Sequence, residues 1–150
     1  MSWQSLWQRV TQRFRSHQPQ HLRTGLWGEA LAARHLRRKG YKILGRRVRV
    51  GAKDEIDLIV RQGETLVFVE VKTRADELRG RPVAAVDRNK RDRLGRAAMR
   101  YMQRLRRKPP TFRFDVVEVV GRQDEQEQVP VEIRHLENVF GLPPGYRVPW

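Results

Sequence analysis

Apolar positions along this chain change period several times, and each change marks an element. Residues 25–39 place Leu26, Trp27, Ala30, Leu31, Ala33 and Leu36 at helical steps, with Thr24 as a cap and Gly40 as a stop. Tyr41 to Val50 reads as a strand, followed by a Gly51-Ala52-Lys53 turn. Asp54 to Arg61 and Thr65 to Thr73 are rich in β-branched residues and are separated by Gln62-Gly63-Glu64, the pattern of a hairpin. Residues 75–86, with Gly80 and Pro82, read as a loop. Asp87 then caps a long helix to about Lys108, with Leu94, Ala97, Ala98, Tyr101 and Leu105 inward and Pro109-Pro110 beyond its end. Strands follow at Phe112 to Val120 and Val131 to Leu136. The proline-rich stretch from Glu137 to Trp150 predicts no regular structure. The order is helix, three strands, helix, one or two strands: a single α/β domain over residues 23–136, with a tail at 137–150.

Ahead of it, residues 1–22 form an extension in which Trp3, Leu6, Trp7, Val10 and Phe14 recur at amphipathic spacing. Three readings of it stand open: a helix docked on its own domain or a partner, a membrane-surface helix, and a flexible arm. It lacks the apolar run of a signal peptide or a membrane span, so a membrane partner is not favoured.

The hairpin carries the chemistry. A two-residue Gly63-Glu64 turn of type II′ pairs Gln62 with Thr65 and brings Asp57 opposite Glu70. Alternation then puts Glu70 and Lys72 on one face with Leu66 and Phe68, and Val67, Val69 and Val71 on the other. Charges on a strand covered on both faces need partners, and two opposed carboxylates repel. Mg²⁺ (or Mn²⁺) answers both problems, taking the carboxylates of Asp57 and Glu70, the main-chain carbonyl of Val71, and waters. Lys72 would then orient or deprotonate a water and steady charge on a phosphate, which is the chemistry of phosphodiester hydrolysis. The competing reading is a half-exposed hairpin with Glu55, Asp57, Glu70 and Lys72 as a surface charge ladder. A Glu-x-Lys triplet arises readily by chance in so charged a chain.

Composition shifts that balance. The 150 residues carry a net charge of +15, which makes a polyanion the natural partner. The charge is lopsided: Arg34 to Lys53 contains no acid, whereas Asp124, Glu125 and Glu127 cluster near the C-terminal end. No cysteine is present, so disulfides, thiol catalysis and cysteine-ligated zinc are excluded. His17, His21, His35 and His135 show no metal-binding spacing. Arg93, Arg96, Arg100, Arg104 and Arg107 line one side of the second helix, as either a solvated face or a phosphate-contacting ridge.

Glu29 in the first helix, Asp57 on the second strand and Glu70-Val71-Lys72 on the third resemble the PD-(D/E)xK superfamily, the restriction-endonuclease-like three-layer fold. More narrowly, Gly28-Glu29-x-x-Ala32, Glu55-Ile56-Asp57-Leu58-Ile59, Val67 to Arg74, Lys90, Ala97-Ala98, Tyr101 and Arg113-Phe114-Asp115-Val116-Val117 resemble the YraN-like family of uncharacterised bacterial proteins, over about residues 23–120. The resemblance implies a fold related to Holliday-junction resolvases and Mg²⁺-dependent nuclease chemistry. Asp57 and Glu70 would be metal ligands, Lys72 would assist the water, and Glu29 would serve as a further ligand or ligand orienter. On residues alone Glu29 reads as an exposed helix charge. The family usually has Gly before its Glu-Ile-Asp stretch and Asn in the strand leading to it. This chain has Asp54 and Gly45-Arg46-Arg47 there, departures that bear on loop geometry and substrate choice.

Arg74 and Lys90 are candidate phosphate contacts or solvated charges, and Asp115 reads as a structural ion pair. The expectation is a cytoplasmic nucleic-acid-binding protein, DNA favoured over RNA, with metal-dependent endonuclease activity and a homodimer as a natural form for cutting two strands. The alternatives are a non-catalytic nucleic-acid-binding module and an interaction protein recruited through its N-terminal helix.

Overall fold

The computed structural model describes residues 20–75, 87–123, 132–148 and 150. The predicted N-terminal amphipathic helix, the 75–86 loop beyond Ala75 and the acidic 124–127 segment lie outside the described residues. Helix α1 (Gln20–Arg38) leads into strands β1 (Lys42–Val50), β2 (Asp54–Gln62) and β3 (Thr65–Arg74). Helix α2 (Arg88–Arg104) and strands β4 (Thr111–Val120) and β5 (Glu132–Phe140) follow. The five strands form one mixed sheet in sequence order, antiparallel except for the parallel β3–β4 pair that α2 connects. Two strands, not one, follow α2.

A helix covers each face, as the restriction-endonuclease-like layering requires. On one side α2 packs Leu94, Ala97, Ala98, Met99 and Met102 onto Ile56, Ile59, Phe68 and Phe114. On the other α1 packs Ala32, Ala33 and Leu36 onto Leu58, Val60, Val67, Val69 and Val117. Phe68 and Phe114 are fully buried with ring centroids 5.7 Å apart. Truncating either would cost about 3–5 kcal/mol.

Several boundaries differ from the sequence reading, for identifiable reasons. Helix α1 begins at Gln20, so Thr24 lies inside it rather than capping it. Its buried stripe is Gly28, Glu29, Ala32, Ala33 and Leu36, which leaves Ala30 exposed. That rotation follows from a close approach: a Cβ on Gly28 would collide with Thr73 Oγ1, so only glycine lets the helix sit on β3 there. Helix α2 has its predicted cap, with Asp87 accepting from the Lys90 amide at 2.8 Å, but it ends at Arg104 rather than Lys108. The Lys108 ammonium folds back onto the carbonyls of Met102, Gln103 and Leu105 at 2.8–3.0 Å and satisfies the helix end. Strand β5 runs to Phe140, past the predicted stop at Leu136. Asn138 takes φ 52 and gives its amide to Asp115, which carries the strand through an irregularity so that Phe140 stacks on Phe114.

Candidate metal and nucleic-acid site

The hairpin has the expected register. Gln62 pairs with Thr65, Gly63 turns at φ 58, and Glu64 stays outside the left-handed region, as a type II′ turn needs. The β2–β3 ladder stops at Leu58–Val69. One step further the register sets Asp57 opposite Glu70, and there the strands part. The Asp57 carboxylate fills the gap, its Oδ2 accepting from the Val71 amide at 2.8 Å.

A second irregularity aims Asp57 there. Val48 and Ile56 pair and pack on the α2 side, whereas Leu58, two residues on, packs on the α1 side. Alternation cannot do that, so the strands turn over between these pairs, at Arg47 and Asp57. Arg47 absorbs the turn with φ 48, which costs a residue with a side chain energy and persists only where its surroundings enforce it. The Arg47 guanidinium lies 3.2 Å from Glu55 and 3.9 Å from Glu29. Arg47 was not among the predicted site residues. Counting back from the Val50–Asp54 pair that closes the β1–β2 turn would have placed it beside Asp57.

Glu29 is no surface charge: it is 8% exposed, and its Oε2 is buried without a hydrogen-bond partner. Burial, chiefly, holds its carboxyl above the ordinary range, with Arg47 pulling the other way and Glu55 and Glu70 adding to the rise. Asp57 is pushed up to about 7 by burial, then by the Glu70 charge and by Glu29, against the Val71 amide bond and Lys90. Glu70 accepts from Lys90 at 3.0 Å and pairs with Lys72 at 3.2 Å through the same oxygen. Burial lowers the Lys72 ammonium from its ordinary range, and neighbouring Lys90 lowers it further. Lys90 moves the other way: burial opposes its charge, but its bond to Glu70 and the Glu70 and Asp57 charges outweigh that.

Among the described residues no three acidic or imidazole groups stand together as a closed metal cage. What the structure brings together is an open pair: Asp57 and Glu70 line a cleft of about 200 Å³ between the hairpin and α2 with Lys90 and Arg93, and Glu29, whose Oε2 has no partner among the described residues, lines a separate hollow on the α1 side. That donor chemistry fits Mg²⁺, which is commonly held by one or two carboxylates with waters and substrate phosphates supplying the rest. The α1-side hollow, of about 520 Å³, is lined by His21, Thr24, Glu29, Val71 and Thr73.

Residues 28–119 match the sequence profile of the uncharacterised protein family UPF0102. The chain belongs to UPF0102. The UPF0102 protein of Chlorobaculum tepidum is 43% identical over 117 residues, 77% of this chain and 90% of its own length. That of Symbiobacterium thermophilum is 45% identical over 118 residues, 79% and 96% of the two chains, and that of Syntrophomonas wolfei is 42% identical over 118 residues, 77% and 96%. This is the YraN-like family that the Gly28 to Val117 motifs resemble. The UPF0102 match begins one residue before Glu29 and takes in the hairpin, α2 and nearly all of β4.

Outside the carboxylate set, the UPF0102 chain distributes its predicted phosphate contacts unevenly. Arg93 lines the hairpin cleft with Lys90, and Arg104 is exposed on the same helix. Arg96 and Arg100 are engaged in the fold, both reaching the nearly buried Asp54 at 3.4 Å. Asp54 is therefore the anchor for two of the five arginines of the predicted stripe. Arg74 lies at the end of β3, where its carbonyl accepts from the Gly121 amide. Asp115 is structural, as expected: fully buried, it accepts from Arg113, His135 and the Asn138 amide at 2.8–3.2 Å. Burial alone would raise its carboxyl, and these bonds hold it below the ordinary range. Among the described residues no helix is long and apolar enough to cross a membrane.

Proposed function

We propose that this UPF0102 chain is a cytoplasmic, metal-dependent endonuclease acting on DNA, with Asp57, Glu70 and Lys72 as its catalytic set. The observation that carries the reading is the parting of β2 from β3 where Asp57 and Glu70 come opposite, with Lys72 beside them. Opposed, half-buried carboxylates in a strongly basic protein have no structural advantage to explain them. Asp57 and Glu70 would hold Mg²⁺ or Mn²⁺ together with the Val71 carbonyl, and Glu29 would orient or complete the ligand set. When bound, the ion supplies Lewis-acid stabilisation of charge on the phosphate.

The chain's own residues do the rest. Lys90 and Arg93 line the cleft and steady phosphate oxygens, the lysine as a point charge and the arginine through its planar guanidinium. Lys72, held as an ammonium, is suited to orient the attacking water and to steady charge on the phosphate as the new phosphorus–oxygen bond forms and the bond to the leaving oxygen breaks, the water's proton passing to solvent. The leaving oxygen is protonated from solvent. Arg74 and Arg104, flanking the cleft residues in sequence and on α2, would add affinity without specificity.

One observation favours a module that binds without cutting: Glu70 already has two ammonium partners on one oxygen. Cleavage of branched, single-stranded and duplex DNA, and of RNA, in Mg²⁺ or Mn²⁺ separates the two. The nuclease reading expects products that disappear with chelator and with Asp57→Ala or Lys72→Ala. Binding without products, or equal activity in all three proteins, would sink it.

A further inference from the structure

One buried charge plays no part in the site above. Glu118 on β4 is 1% exposed, and among the described residues neither of its carboxylate oxygens has a hydrogen-bond partner. The contrast with Asp115, three residues earlier and fully bonded, is direct. Buried unsatisfied carboxylates are uncommon in native folds, and one that persists asks for an explanation, of which a partner in another state of the molecule is one.

The sheet register identifies that partner. Glu118 pairs with Lys72 on β3 and with Arg134 on β5, so the three occupy one row on one face of the sheet. Arg134 is taken by Glu132, at 2.6 and 2.9 Å. Lys72 leans the other way along its strand, to Glu70, where Lys90 competes for the same oxygen. Neighbouring strands lie about 4.8 Å apart, so turning Lys72 toward Glu118 needs a side-chain rotation and no backbone movement.

We infer that Glu118 is a positioning residue for Lys72. When a divalent ion claims Glu70, the Lys72 ammonium loses its partner and is received by Glu118, which fixes it beside the ion instead of leaving it to repel the ion. The inference rests on the reading of Asp57 and Glu70 as a cation site, and it makes ion binding depend on a residue that is not a ligand.

Calorimetric titration of the full chain with Mn²⁺ tests it, using wild type, Glu118→Gln, Lys72→Met and the double variant. Glu118→Gln should bind Mn²⁺ roughly five- to tenfold more weakly, the size of an ordinary pairwise coupling, and should change nothing once Lys72 is Met. Without metal, Glu118→Gln and Glu118→Met should melt no lower than wild type, because neither removes an existing bond. Equal Mn²⁺ affinities for wild type and Glu118→Gln, or a loss that persists in the Lys72→Met background, would overturn the inference and leave the metal site standing. Lower melting of both Glu118 variants would overturn it too, by revealing a partner already in place. A wild type that shows no saturable Mn²⁺ binding would remove the site reading and this inference together.

Discussion

Replacing Asp57 with Asn should stabilise the protein, and the gain should depend on pH. The Asp57 carboxyl is raised from 3.8 to about 7, chiefly by burial and then by Glu70. Between those values the folded chain keeps a proton that the unfolded chain has released, so stability falls as pH rises through the window. Above about 7 the full penalty is present; near 4 it is absent. A shift of about three units corresponds to roughly 4 kcal/mol at 1.36 kcal/mol per unit, and water in the cleft together with the coupling to Glu70 reduces this to about 2–3 kcal/mol. Asn at this position still offers an oxygen to the Val71 amide while removing the repulsion from Glu70 and Glu29. Thermal melts of both proteins at about pH 4, 7 and 9 without divalent ions should show curves that nearly coincide in acid and separate by roughly 10 °C in base. A separation that stays constant with pH, or a variant less stable than wild type at high pH, would refute the electrostatic account of Asp57.

Other consequences follow from single contacts. Gly28→Ala should destabilise the protein by about 1–3 kcal/mol, because the added methyl meets Thr73 Oγ1, and pairing it with Thr73→Ala should restore most of the loss in urea unfolding. Asp115→Ala should cost about 3–5 kcal/mol in urea unfolding by stranding the Arg113 and His135 partners. In DNA binding followed against salt, Arg93→Gln should lower the slope by about one counterion, whereas Arg96→Gln and Arg100→Gln should lower it less, since both arginines are drawn to Asp54. Slopes unchanged from wild type in all three variants would return α2 to an ordinary solvated face.

How far the sequence reached depended on whether one pattern or several competed at a position. The register of Asp57 against Glu70 was readable because Gly63-Glu64 admits a specific turn and alternation does the rest. The face shared by Phe68, Glu70 and Lys72 was readable for the same reason. The rotation of α1 was not, because apolar counting favoured Ala30 and gave no credit to a buried glutamate or to a glycine chosen for close approach. The end of α2 was hidden because Lys108 caps it from four residues away, a contact that composition does not signal. Strand β5 outran its pattern because a left-handed Asn138, held by Asp115, bridges an irregularity in the ladder. The least legible feature was Arg47. Nothing in residue type marks it as a left-handed position, and only the paired strand gives it meaning as the hinge that turns Asp57 toward Glu70.

The central claim is that Asp57 and Glu70 form a cation site, and its most direct test is Mn²⁺ binding by wild type and Asp57→Asn at about pH 6 and pH 8. A carboxyl near 7 must release its proton to bind metal, so wild type should bind severalfold more tightly at the higher pH, and Asp57→Asn should lose binding at both. Mn²⁺ affinity that is unchanged by the substitution, or insensitive to pH across that interval, would contradict the account.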